Sequence, residues 1–241
     1  MKSHCLLTLA GLALVTRLVA TESPAPVTDK YKYDKALQAE LLAILADDQA
    51  PRVKLEAIAR EKGYDSPEVG ALQDAMLDND AVNIGKVETI LEEHGWVGPE
   101  LVGPKAGDAI FMVLQHADIS YQQKYLPLVR QVTRDGKIKT RDLAMFEDRV
   151  ALREGRPQTY GTQLRAENGG KLHVSTMIDP DHVDERRAAI GLPPMAEYVK
   201  NWNLTWDVET YKREVIGHEV LVPESPMPKR VHSNIGQPDT K

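Results

Sequence analysis

The chain has 241 residues, 42% of them hydrophobic, with 30 Lys and Arg set against 36 Asp and Glu for a formal net charge of −6. That length can bury one substantial core, and the acidic balance disfavours nonspecific nucleic-acid binding, which needs clustered Lys and Arg. The single cysteine, Cys5, rules out an intramolecular disulfide framework.

Residues 1–20 stand apart from the rest. Lys2 gives a positive start, and residues 6–15 form an apolar run broken only by Thr8 and Gly11. The run is shorter than the roughly 20 apolar residues a membrane-spanning helix needs. It reads as a signal peptide cleaved after Ala20, with a retained amphipathic anchor as the other reading. Cleavage removes Lys2 and Arg17 and moves the formal charge from −6 to −8. The expected location is therefore periplasmic or extracellular, with no transmembrane segment left after cleavage.

Residues 21–32 contain Pro24 and Pro26 among small polar groups and read as a linker. From Tyr33 on, Leu37, Leu41, Leu42 and Leu45 recur at helical spacing, predicting a helix that ends near Asp47-Asp48. A second short helix is expected after Pro51, through Leu55 and Ile58, stopped by Gly63. Ser66-Pro67-Glu68 has the form of a helix start, because a capping oxygen and a proline suit the spare amides of a first turn. Two helices are expected from there to His94, separated by a turn at Asp78-Asn79-Asp80. Gly95, Gly98, Pro99, Gly103 and Pro104 then predict a structured loop around Trp96, a candidate core plug.

The run from Ala109 to Leu114 is apolar on every side and predicts the buried centre of the domain, closing in Gln115-His116-Ala117-Asp118. A helix through Tyr125, Val129 and Val132 is expected to bend or begin at Pro127, and another to follow Thr140 through Phe146 and Val150. Beyond Pro157, Gln163 to Ala166 faces Leu172 to Thr176 across Asn168-Gly169-Gly170 as a hairpin. Short helices are expected after Asp179 or Asp181 and after Pro193-Pro194, with an irregular tail in which Trp206, Val215 and Leu221 are placed to dock. The predicted fold is mainly α: a single compact multi-helix domain over residues 33–203, with a small β-hairpin near its C-terminal third and an irregular tail over 204–241.

Several ordered blocks run through this domain: Asp48-Gln49 with Arg52, Gly95-Trp96-Val97-Gly98, Gln115-His116-Ala117-Asp118, Asp148-Arg149-Val150, Tyr160-Gly161-Thr162-Gln163, and Arg186-Arg187 leading to Gly191-Leu192-Pro193-Pro194. In that order they resemble an uncharacterised bacterial domain-of-unknown-function family marked by a Gln-His-x-Asp helix end and a Tyr-Gly-Thr-Gln turn. Val97 stands where the family pattern has a proline, and the C-terminal extension is longer than the pattern. The resemblance implies no reaction and transfers no catalytic residue.

The candidate site is built from those blocks. His116 can exchange a proton near neutral pH, with Asp118 or Asp148 as the carboxylate that would orient it. The simpler reading is that His116 caps the carbonyl end of its helix. Asp148 and Arg149, adjacent on a helix, point too far apart to pair and are expected to meet Asp48, Arg52 or Gln163. Tyr160 and Gln163 in a glycine-bearing turn either line a pocket or tie the hairpin to the helices. Asp48, Gln49, Arg52, Gln115, Arg149, Tyr160 and Gln163 are thus the candidate binding residues, and His116, Asp118 and Asp148 the candidate catalytic ones. No phosphate loop, zinc-binding His-Glu-x-x-His or Gly-x-Ser-x-Gly elbow is present, so neither a metal site nor a cofactor is assigned. Two functions fit: a domain binding a small molecule or an envelope protein, or a hydrolase or other acid–base enzyme using His116.

Overall fold

The computed structural model describes the backbone of Thr8–Leu9 and residues 33–63, 66–166 and 172–224. The rest of residues 1–20, read as a signal peptide, the expected linker over 21–32, the expected turn at Asn168-Gly169-Gly170 and the residues beyond 224 lie outside the described residues.

Two long antiparallel helices frame the molecule. Helix α1 spans Lys35–Lys62, its free first-turn amides met by Asp34, whose side chain accepts from Ala36 and Leu37. Helix α2 spans Pro67–His94, capped by Ser66 with Pro67 in the first turn, as the sequence predicts. Neither helix breaks where breaks are expected. Pro51 lies inside α1, where it has no amide to donate and its ring crowds the preceding turn. At that weak point the Arg52 guanidinium donates to the backbone carbonyl of Asp48. The expected turn at Asp78-Asn79-Asp80 is uninterrupted helix, because Asp80 faces α1 and grips Arg52. Arg52, bonded within α1 to the Asp48 carbonyl and across to Asp80 on α2, holds both helices where local preference favours a turn.

The segment expected to be an irregular loop holds two short helical turns, α3 (Pro99–Val102) and α4 (Pro104–Gly107), with Trp96 buried beside them. Helix α5 (Ala109–His116) then enters the centre and packs on α1, α2, α4 and α6. Ile110, Val113 and Leu114 are essentially inaccessible. Each such side chain stabilises the fold by roughly 1.5–3 kcal/mol through removal of apolar surface from water. Helix α6 (Ile119–Arg134) starts at its Asp118 cap and runs through Pro127 without beginning there, and α7 (Thr140–Arg153) packs against it. These helices share one core with Leu41, Ile44, Ile84, Val87, Phe146 and Val150.

A second, smaller core lies under the hairpin. Strand β1 (Thr8–Leu9) pairs antiparallel with β2 (Leu164–Ala166), and β2 with β3 (Leu172–Val174), Leu164 opposite Val174 and Arg165 opposite His173. Leu164, Val174, Met177, Met195 and Val199 pack together beneath these strands. A 3-10 turn (Pro180–His182) leads into α8 (Val183–Ala189), and α9 (Met195–Tyr198) follows Pro194. Within the stretch read as an irregular tail, Asp207 caps one further helix, α10 (Val208–Glu214), and Tyr211 anchors it in the second core. No helix among the described residues is long and apolar enough to cross a membrane.

Candidate functional site

Along α1 the core-facing positions run Leu41, Ile44, Asp48 and Leu55, so helical spacing inserts one carboxylate into an otherwise apolar face. Asp48 is fully buried. Directly opposite, at the end of α5, His116 places Nδ1 2.9 Å from each Asp48 carboxylate oxygen. Gln49 donates to the same carboxylate. Arg52, one turn on, lies 3.3 Å from Asp48 Oδ1 and binds both oxygens of Asp80 on α2, at 2.8 and 2.7 Å. Three helices therefore meet in one polar junction.

The electrostatics of this junction assign its protons. Burial pushes the Asp48 carboxyl upward, but His116, Arg52 and Gln49 together outweigh it and hold the group below its ordinary value. Asp80 shares Arg52 without those extra donors, and burial raises it to about 6, so it is the carboxylate that protonates first. Loss of solvation, backed by the charge of Arg52 and Arg149, pushes His116 down to about 4 against the pull of Asp48. At neutral pH the imidazole is thus uncharged and the carboxylate ionised. A neutral ring beside a carboxylate donates through the nearer nitrogen, so Nδ1 carries the hydrogen and Nε2 the lone pair.

Nε2 is the outward edge of this arrangement. No residue among those described hydrogen-bonds it, and it is not among the enclosed polar atoms without partners, while the His116 side chain keeps 14% exposure. Two enclosed amide atoms on residues flanking the junction have no partner among the described residues: Gln115 Oε1, next to His116, and Asn83 Nδ2, one turn beyond Asp80. Among the described residues no three His, Cys, Asp or Glu side chains are gathered so as to hold a metal ion.

A second buried carboxylate serves a different end. Asp148 on α7 accepts from the amides of Thr159, Tyr160 and Thr162 and from the Thr162 hydroxyl, at 2.7 to 3.1 Å. It organises the Tyr160-Gly161-Thr162-Gln163 turn, where Gly161 takes a φ of +68° and a Cβ would lie 2.9 Å from both Met177 and Met195. The positive φ is what favours glycine at that position. Gln163 donates to the carbonyl of Met145 and the Thr162 hydroxyl, and the Tyr160 carbonyl receives Arg187. Burial holds the Asp148 carboxyl above its ordinary value in spite of those amides.

The candidate residues thus divide into two groups. Asp48, Gln49, Arg52 and His116 converge; Asp148, Tyr160 and Gln163 form a separate knot around a turn. The carboxylate that meets His116 is Asp48. Asp118 caps α6 instead, accepting from the Ser120 amide at 2.9 Å and hydroxyl at 2.6 Å. Arg149 meets none of the side chains expected for it; its guanidinium donates to the Gln115 carbonyl at 2.6 Å, linking the two groups. Four further buried polar residues, Asp80, Asn83, Gln158 and Arg187, are not among the site candidates drawn from the sequence. Asp80 was legible in principle, since Asp80, Ile84 and Val87 share one helical face.

Comparison with known proteins gives one finding about ancestry. A model of a family of unknown function, DUF6624, matches residues 35–210. No curated protein and no solved structure matches the chain.

Proposed function

The chain belongs to this family of unknown function, whose description assigns no reaction, and from the junction itself we propose that the protein is an exported ligand-binding domain whose binding group is His116. One observation carries the reading: Asp48 holds the Nδ1 side of the ring, while Nε2 has no hydrogen-bond partner among the described residues and the side chain keeps 14% exposure. Charged groups in a core cost more to desolvate than their pairing usually returns, so apolar residues would brace three helices at lower cost. A junction of Asp48, Arg52, Asp80 and His116 in that place is better accounted for by recognition than by stability. Export rests on the signal-like pattern of residues 1–20, and the mass of the secreted chain tests it: the expected N-terminus is Thr21, and a chain retaining Met1 refutes it.

The binding experiment is a thermal-shift screen of small molecules on the mature protein beside His116→Ala. Ligands that raise the melting temperature of the parent are expected to lose that effect in the variant. Equal shifts in both proteins would end the reading.

A second reading draws on the same contact. A buried carboxylate that orients a neutral imidazole is also the arrangement of a general base, with Arg52 as the neighbouring cation. Turnover of a hydrolysable ester or amide library that disappears in His116→Ala at an unchanged melting temperature would favour the enzyme over the binding domain.

A further inference from the structure

Arg149 and Arg153 stand one turn apart on α7 and both address the carbonyl end of α5: Arg149 donates to the Gln115 carbonyl and Arg153 to that of Ala117, at 2.6 and 2.8 Å. A helix end offers about half a negative charge, against two guanidiniums. Arg149 makes no ion pair among the described residues, and its Nε is enclosed without a partner. Among the described residues the ion pair at this corner comes from the segment after α10. The segment after α10 crosses back over α7, and Glu224 binds Arg153 twice, carboxylate to Nε at 2.7 Å and amide to the Arg153 carbonyl at 2.7 Å. Pro223 seats on Gly155, where a Cβ would lie 2.8 Å from its ring. Upstream, Glu219 accepts from the Thr176 amide and pairs with Arg165 at 2.9 Å. Val220 and Val222 in this strap are 76% and 58% exposed, so apolar burial is not what holds it down there. The strap also lies beyond the residues the family model matches, which end at 210.

We infer that Arg153, backed by Arg149, is a carboxylate-binding site at the α5 end, and that Glu224 occupies it as a ligand supplied by the chain itself. The external ligand it fits is a molecule bearing a carboxylate, which a guanidinium grips with two parallel hydrogen bonds once Glu224 leaves. A tethered competitor acts at an effective concentration in the millimolar range, so an external carboxylate meets a masked site.

Arg153 and Glu224, the residues substituted in the test, lie outside the Asp48–His116 junction, so a failed titration leaves the reading of His116 standing. The probe is N-acetylglutamate, with N-acetylglutamine as its uncharged control, titrated calorimetrically into the parent, Glu224→Gln and Arg153→Gln. Glu224→Gln is expected to bind N-acetylglutamate at least about tenfold more tightly than the parent. Arg153→Gln should bind neither compound. A Glu224→Gln chain that binds no more tightly than the parent overturns the site. Limited proteolysis of the unaltered chain gives a test that needs no variant to fold. N-acetylglutamate, and not its control, should speed cleavage between residues 215 and 224, and an unchanged rate would leave Glu224 a simple clip.

Discussion

Asp48 and Asp148 are both carboxylates buried on core helices, yet they are spent differently. Asp148 is satisfied by three backbone amides and a hydroxyl of a single turn, groups fixed in place once the chain folds. Asp48 is satisfied by side chains from α1 and α5, two of which keep an edge toward solvent, His116 at 14% and Arg52 at 17% exposure. A carboxylate committed to backbone amides secures a loop, whereas one committed to partly exposed side chains fixes the orientation and proton of groups that can still meet something else. That contrast, more than burial or charge, separates the brace from the candidate site.

The largest effect should fall on the brace. Asp148→Ala strands three amides and is expected to cost about 4 kcal/mol in urea unfolding, since each buried unsatisfied group costs roughly 1–3 kcal/mol. A loss below about 1 kcal/mol would mean the turn holds itself and the contrast is wrong.

Next comes the pH dependence of the junction. His116, lowered to about 4 in the fold from an unfolded value of 6.5, makes stability rise with pH between those values, because the unfolded chain binds the extra proton. Asp80, raised to about 6 from 3.8, makes stability fall with pH over that window, because the folded chain binds it. The two slopes nearly cancel in the parent. His116→Gln should expose the Asp80 slope and be more stable at pH 4.5 than at 6.5 by about 2 kcal/mol. Asp80→Asn should show the opposite slope, and parallel profiles for all three proteins would contradict the proton assignment.

Asp48→Asn keeps the shape of the junction and should cost less, about 1–2 kcal/mol, while abolishing the ligand response that depends on His116. An Asp48→Asn variant that loses about 4 kcal/mol yet keeps that response would reverse the roles given to the two carboxylates. The smallest effect is expected at Asp118→Ala, which removes a helix cap for about 1 kcal/mol and leaves the His116 response intact.

The helical architecture was largely legible, and the reason is periodicity: Leu41 and its neighbours, the apolar run into His116, and the alternating arms of the hairpin carry their environment in their spacing. What the chain hides is contact across distance. Pro51 and Asp78-Asn79-Asp80 read as breaks because local preference is all a linear pattern reports, and the Arg52–Asp80 pair that carries both helices through joins residues 28 apart. His116 stands out as a candidate from its position closing an apolar helix. Its partner is not legible there, since Asp48 lies 68 residues away and Asp118, which caps α6, stands two positions on. Asp148, Tyr160 and Gln163 were selected for their polarity, and polarity alone does not tell a side chain that serves the backbone from one that serves a ligand.

The role given to His116 rests on the state of its ring. Nitrogen-15 NMR of the His116 imidazole, followed from pH 3.5 to 8, reads the tautomer and the titration together. A neutral ring protonated on Nδ1 above pH 6, taking up its second proton only near pH 4, is the predicted result. A ring protonated on Nε2, or one that titrates near its ordinary value of 6.5, would contradict it.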